Sequence, residues 1–199
     1  MRCAVVGGGA WGTALADLLA RNGHACVLWA READVVEGIN SRHENAHFLA
    51  GAALHETLRA SGDLCGAVRG AELVALAAPS HVLRAVARSA ADGVAPGATL
   101  VVATKGIERE TLAIMTRVVD EELPGRGVVA LSGPSFAAEV VARQPTAIVA
   151  ASMSEAAATL TQRAFSSQEF RVYTNDDVMG VELGGALKNV MAVATGIAE

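Results

Sequence analysis

A doubly wound α/β fold, built on a mostly parallel sheet with helices on both faces, is what the sequence predicts. Three observations carry that expectation. Short apolar runs alternate with helical segments across residues 1–174, the pattern of strands covered on both faces. A glycine turn, Gly7-Gly8-Gly9-Ala10-Trp11-Gly12, separates the apolar run "RCAVV" from a helical stretch. Four polar punctuations, "GGGAWG", "AAPSH", "ATKG" and "LSGPS", each close a strand and so share the edge where such sheets bind ligands.

The elements follow in order. "RCAVV" is the first strand, and the turn after it matches G-x-G-x-x-G, which makes the fold Rossmann-like. Gly7 permits the sharp exit, Gly9 lets backbone approach a pyrophosphate, and Gly12 lets helix pack on strand. Unpaired N–H groups at the helix start then face the phosphates. A secretory leader is not expected, because four glycines break the apolar stretch and Asp17 sits where a cleavage site needs small neutral residues. "RNGH" stops the helix and "ACVLWA" is the second strand. A helix near Val35–Ile39 and an irregular loop around "SRHENAHFLAG" come next. "AELVALAAPS" with "SHVLRAVARSAA", and "ATLVVATKG" with "RETLAIMTRVVDEEL", read as strand–helix pairs, Ser80 capping the first of these helices. "GVVALSGPS" leads to a short helix from Ser135, and "TAIVAAS" and "EFRVYT" flank the helix "SEAAATLTQRAF".

From Asn175 the pattern changes to "NDDVMGVELGGALKNVMAVATGIAE", a helix capped by Asn175 or Thr174 and apolar nearly all round. Such a helix is expected to be buried, with close packing compensating the helix cost of Gly180, Gly184 and Gly185. A buried helix with nothing after it implies covering structure beyond Glu199, so the chain reads as truncated.

Composition removes several functions. The 199 residues are 52% hydrophobic and 19% charged, with a net charge of −5. That balance disfavours a nucleic-acid surface, and charges or glycines interrupt every apolar run before it reaches membrane-spanning length. Cys3, Cys26 and Cys65 are scattered and the five histidines form no ligand pattern, so no metal site is expected. A reducing compartment suits the thiols.

Charged residues at the ligand edge carry the chemistry. Arg31 follows the second strand, where a guanidinium can pair with the 2′-phosphate of NADPH, whereas Glu32 beside it is the acid that would hold the ribose of NADH. NADPH is favoured over NADH. Lys188, flanked by Ala186, Leu187, Val190 and Met191, sits in apolar sequence that disfavours its cation. Beside Gly184-Gly185 and Asn189, it reads as the acid that protonates an alkoxide during carbonyl reduction, rather than as a lysine snorkelling to water. Lys105 ends a strand at the same edge and can balance an anionic substrate. Ser135 can cap its helix, and the same hydroxyl can bind a substrate oxygen.

Together these motifs resemble the bacterial NAD(P)-dependent glycerol-3-phosphate dehydrogenases, with "GGGAWGTALA", "NSRHENAHFLAG", "APSHVLR", "ATKGIE", "LSGPSFAAEV", "PTAIVAAS" and "FRVYTNDDVMGVELGGALKNV" in family order. The resemblance implies reduction of dihydroxyacetone phosphate to sn-glycerol 3-phosphate for phospholipid synthesis in the cytoplasm. It implies that Ala10, Trp11, Arg31 and Ala137 contact the cofactor, with Phe48 a neighbour, and that Lys105 touches cofactor and substrate. Gly133 and Ser135 would touch the substrate, and Lys188 would accept the proton in glycerol-3-phosphate oxidation. Gly8 departs from the family's usual alanine at a middle position expected to be unconstrained, and Ala50 replaces the proline of the "LPG" loop. Residues 1–174 would form the dinucleotide-binding domain and 175–199 the start of a helical substrate domain. The partner is then a small phosphate substrate, with neither nucleic acid nor membrane, and a homodimer is compatible. Two other readings stay open: a dehydrogenase of a hydroxy acid or acyl thioester, and a non-catalytic nicotinamide-binding sensor.

Overall fold

In the computed structural model, which describes residues 1–198, apolar residues alternate between two cores. In β1 (Arg2–Val6), Cys3 and Val5 enter one cluster while Ala4 and Val6 enter the other. The period-2 geometry of a strand puts neighbours on opposite faces, so a continuous apolar run serves both sides of a sheet. The chain continues through α1 (Ala10–Arg21), β2 (Ala25–Trp29), α2 (Ala33–Arg42), β3 (Arg59–Ser61) and α3 (Leu64–Val68). Then come β4 (Leu73–Leu76), α4 (Ser80–Ala90), β5 (Thr99–Val102), α5 (Met115–Glu122), β6 (Gly127–Ser132) and α6 (Ala137–Val141). The last elements are β7 (Thr146–Ala151), α7 (Glu155–Phe165), β8 (Phe170–Asn175) and α8 (Val178–Ala198).

The strands form one sheet in the order β3-β2-β1-β4-β5-β6-β7-β8, and every neighbouring pair is parallel except β6 with β7. The doubly wound, mostly parallel sheet is therefore as expected. Strand order reverses at β1 and β4, which opens the crevice for a ligand. The antiparallel pair has a simple cause. The five residues of α6 advance only about 7.5 Å, too little to return along a six-residue strand of about 20 Å. The next strand starts where β6 ended.

Three local expectations change. The helix placed on "RETLAIMTRVVDEEL" begins only at Met115. Before it, Glu108–Ala113 make a turn with Leu112 at φ 57, closed by an Ile107–Ile114 bridge. Glu108 anchors that turn: its carboxylate takes two 2.8 Å bonds from Arg84 and one from Thr111. Neither β3 nor α3 was foreseen, being too short to show periodicity. The cap assignments also move. Pro79 precedes the α4 helix and Ser80 lies inside it, no side chain caps α6, and α8 is capped by Asp177, which accepts the Gly180 N–H at 2.8 Å.

The helix α8 forms as expected, but its apolar surface is not buried. Leu187, Val190, Met191, Val193 and Ile197 are exposed. No helix among the described residues is long and apolar enough to cross a membrane.

The Arg84 ion pair has a pH signature. Hydrogen bonding to Arg84, then to Thr111, holds the Glu108 carboxyl at about 2, below its ordinary 4.5. The pair therefore adds stability that is complete above pH 4.5 and is lost as pH falls towards 2. Urea midpoints should fall more steeply for the wild type than for Arg84→Ala across that range. Parallel pH curves would discount the pair.

Candidate active site

The glycine turn is built by steric exclusion. Gly7 has φ 129, and a Cβ there would stand 2.9 Å from the Ala77 carbonyl at the end of β4. A Cβ on Gly12 would overlap the Gly7 carbonyl oxygen and lie 3.3 Å from the Ala77 methyl. Only glycine fits either position. Gly8 corrects an expectation, because its Cβ would meet that of Ala30 at 2.5 Å. The middle position is confined by the residue that follows β2. Gly9 is the opposite case: no atom lies within 4 Å of its would-be Cβ, and as N-cap of α1 it leaves the first helical turn without a side-chain partner. Open space before an uncapped helix N-terminus suits a phosphate.

A cavity of about 730 Å³ lies against this turn at the β1–β4 switch. Gly7, Gly9, Ala10, Trp11, Gly12, Arg31 and Phe48, all named from the sequence, line it. Its far wall is α4, through His81, Val82 and Ala85. The buried indole N–H of Trp11 has no hydrogen-bond partner among the described residues. Arg31 stands at the mouth with its side chain 84% exposed and its Nη2 3.0 Å from Glu32. The Glu32 carboxylate is thus spent on Arg31. Free donors, an open glycine and an exposed guanidinium fit an anionic dinucleotide.

Asn45 was missed from the sequence. It is 1% exposed, and its amide donates to the Gly8 carbonyl at 2.9 Å and to Thr13 Oγ1 at 2.8 Å. Its oxygen accepts the Phe48 N–H at 3.1 Å. One buried side chain therefore ties the loop carrying Phe48 to the glycine turn. Phe48 stacks on His47 at 4.3 Å, and His47 Nδ1 lies 3.0 Å from Asp34. Nothing in the local sequence separates Asn45 from any other loop asparagine. The signal exists only after folding.

A second cluster forms at the tips of β5 and β6. Lys105 donates from Nζ to the Gly133 carbonyl at 3.1 Å and lies 5.9 Å from the Trp11 ring centroid. Burial, then the nearby positive charge of Lys188, pushes Lys105 below the ordinary lysine value. Lys188 reaches this point from α8, with Nζ 5.5 Å from the Phe136 ring. The close approach expected of the α8 glycines holds at Gly185, whose Cβ would strike Ser132 Oγ, but not at Gly184, which meets open space. Ser135 is buried with Oγ 3.4 Å from the Gly133 carbonyl, and Ala137 packs on the core at the start of α6. The apolar surroundings expected for Lys188 are absent, since it is exposed. Desolvation acts at Lys105 instead.

Comparison with known proteins gives the family of the chain. A family model described as NAD-dependent glycerol-3-phosphate dehydrogenase N-terminus matches residues 2–158, and its C-terminal companion matches 177–199. The chain belongs to the NAD-dependent glycerol-3-phosphate dehydrogenase family. Two relatives named glycerol-3-phosphate dehydrogenase [NAD(P)+], from Syntrophotalea carbinolica and a Geobacter species, are 49% and 47% identical over the whole chain. The chain spans 61% and 60% of their lengths. The crystal structure of glycerol-3-phosphate dehydrogenase from Coxiella burnetii superposes with a TM-score of 0.91 at 36% identity, covering 99% of this chain and 60% of that one. The yeast glycerol-3-phosphate dehydrogenase structure gives 0.86 at 26%, covering 96% of this chain and 61% of that one.

Proposed function

We propose that this chain is the cofactor-binding part of an enzyme that reduces dihydroxyacetone phosphate to sn-glycerol 3-phosphate with NADPH or NADH. In this reading residues 1–174 hold the dinucleotide and 175–199 begin a helical substrate domain. The reaction would feed phospholipid synthesis in the cytoplasm. The carrying observation is that Lys105 and Lys188, far apart in sequence, meet at the β6 tip beside Trp11 of the glycine turn.

The residues divide the work. Gly9 and the first turn of α1 take the pyrophosphate, with Gly7 and Gly12 holding the turn's shape. Arg31 takes a 2′-phosphate, and Trp11 and Phe48 border the bound rings. When bound, the reduced nicotinamide supplies the hydride. Lys188 donates a proton to the ketone oxygen as it becomes an alkoxide, and takes it back in glycerol-3-phosphate oxidation. Lys105, steered by the Gly133 carbonyl, offers a second positive charge to an anionic substrate. Ser135, buried beside Gly133, presents a hydroxyl at the same place, and Ala137 closes the cofactor side of that corner.

The deciding experiment is NADPH oxidation with dihydroxyacetone phosphate, run on this chain and on the chain extended to its relatives' length. Turnover is expected at the greater length and only weakly in the 199 residues. Bound NADPH without hydride transfer at either length would favour the sensor reading. Turnover of a hydroxy acid or acyl thioester alone would favour the other dehydrogenase. Full activity in the short chain would refute the division at residue 174.

Cofactor choice has its own test. Losing charge-assisted bonds costs about 1.5–3 kcal/mol, so Arg31→Ala should weaken NADPH about 10- to 150-fold. NADH binding should hold or tighten, because NADH lacks the 2′-phosphate and the released Glu32 carboxylate can accept its ribose hydroxyl. Equal effects on the two cofactors in a fluorescence titration would remove Arg31 as the discriminator.

A further inference from the structure

Glu182 is a buried acid that the proposed chemistry does not use. It projects from the second turn of α8 and is 8% exposed. Its carboxylate accepts the Thr116 N–H at 3.1 and 3.3 Å and also the Thr116 hydroxyl. Thr116 lies in the first turn of α5, whose N-cap, Ile114, has no side chain able to accept a bond. The cap of α5 is thus supplied from 66 residues further along the chain. Its N–H groups and helix dipole are what make a carboxylate tolerable there. Burial raises the Glu182 carboxyl, while the Thr116 side chain and the Thr116 and Met115 N–H groups pull it down; no charged side chain contributes.

The two ends of this bond lead to the two lysines. On one side, α5 follows the turn that begins at Glu108, three residues after Lys105. On the other, Gly185 rests on Ser132 and Lys105 one turn beyond Glu182, and Lys188 follows about 9 Å along the helix axis. Among the described side chains of α8, Glu182 ties the helix to another helix, through its bonds to the Thr116 N–H and hydroxyl.

We infer that Glu182 is a positioning residue: seated on the N-terminus of α5, its carboxylate holds α8 across the strand tips so that Lys188 and Lys105 share one site. This rests on the reading of Lys188 as proton donor for its purpose, but its test does not need turnover. An apolar side chain would pack α8 at least as well; what it would lack is the tie to the Lys105 loop.

The test follows the Lys105 ammonium by NMR in isotopically labelled chain, assigned through Lys105→Arg. Burial, then the nearby Lys188 charge, holds it below the ordinary lysine value in the wild type. Lys188→Ala should raise the Lys105 midpoint towards 10.5. Glu182→Ala should raise it at least as far, because α8 also covers Lys105, and the double variant should rise no further than Glu182→Ala alone. Glu182→Gln, which keeps an acceptor oxygen, should hold the midpoint near the wild-type value. NADPH affinity reports an intact fold, since α8 does not line the cavity. Should Glu182→Ala fail to fold, Glu182→Leu fills the space without the bond and is read in the same way. A Lys105 midpoint unmoved in a variant that binds NADPH normally would overturn the inference, as would additive rises in the double variant. Failure of the reductase reading shows differently, as absent turnover with the lysine coupling intact.

Discussion

Replacing Lys188 with alanine should lower kcat for dihydroxyacetone phosphate reduction by roughly 10²–10⁴-fold, the usual worth of a positioned general acid. The measurement belongs on protein of the relatives' length, with NADPH affinity expected to change less than about twofold. The reason is positional. Lys188 is exposed on α8 and free to meet a substrate oxygen, whereas the Lys105 ammonium is half-buried and bonded to the Gly133 carbonyl. That bond aims one of the three Lys105 N–H groups at the protein rather than at a substrate. Removing Lys188 also removes a positive neighbour from Lys105, so any residual activity should show a basic limb shifted upwards in pH. A kcat within about tenfold of the wild type would reassign the acid.

The second large effect lies in the glycine turn. Gly12→Ala places a methyl carbon on the Gly7 carbonyl oxygen and 3.1 Å from its carbon. These are backbone atoms on either side of one tight turn, so no rotamer relieves the contact. Overpacking of this kind costs about 3 kcal/mol, which for a chain of this size lowers Tm by roughly 6–12 °C. NADPH binding should be lost with it, because the turn's relaxation moves the N–H groups of α1. Gly9→Ala is the counterpart. With nothing within 4 Å of the new methyl, Tm should hold while NADPH binding weakens, since the methyl would stand in the path of the proposed pyrophosphate. An unchanged Tm in Gly12→Ala, or an unchanged cofactor affinity in Gly9→Ala, would break this account of the turn.

Much of the site's address was legible beforehand because it depends on local rules. A strand, a G-x-G-x-x-G turn and a helix place Gly7, Gly9, Ala10, Trp11 and Gly12 together whatever surrounds them, and the cavity is lined by all five. Arg31 is at the mouth because β2 must end there. Asn45 was illegible for the opposite reason. Its three hydrogen bonds reach Gly8, Thr13 and Phe48, and no rule of spacing picks one asparagine from a loop. The α5 boundary failed similarly: "RETLA" has helical composition, but Arg84 captures Glu108 and bends the chain before the helix can start.

By itself the sequence determined the strands and helices of the β1–α1, β2–α2 and β4–α4 units, and that a glycine turn would join β1 to α1. Those outcomes follow from side-chain periodicity and backbone sterics, which act within a few residues. Only the tertiary structure decided that β7 runs against β6, that α8 is tied to α5 through Glu182, and which lysine loses water. Burial and charge proximity depend on atoms brought together from distant parts of the chain, so the desolvated ammonium proved to be Lys105 and the exposed one Lys188.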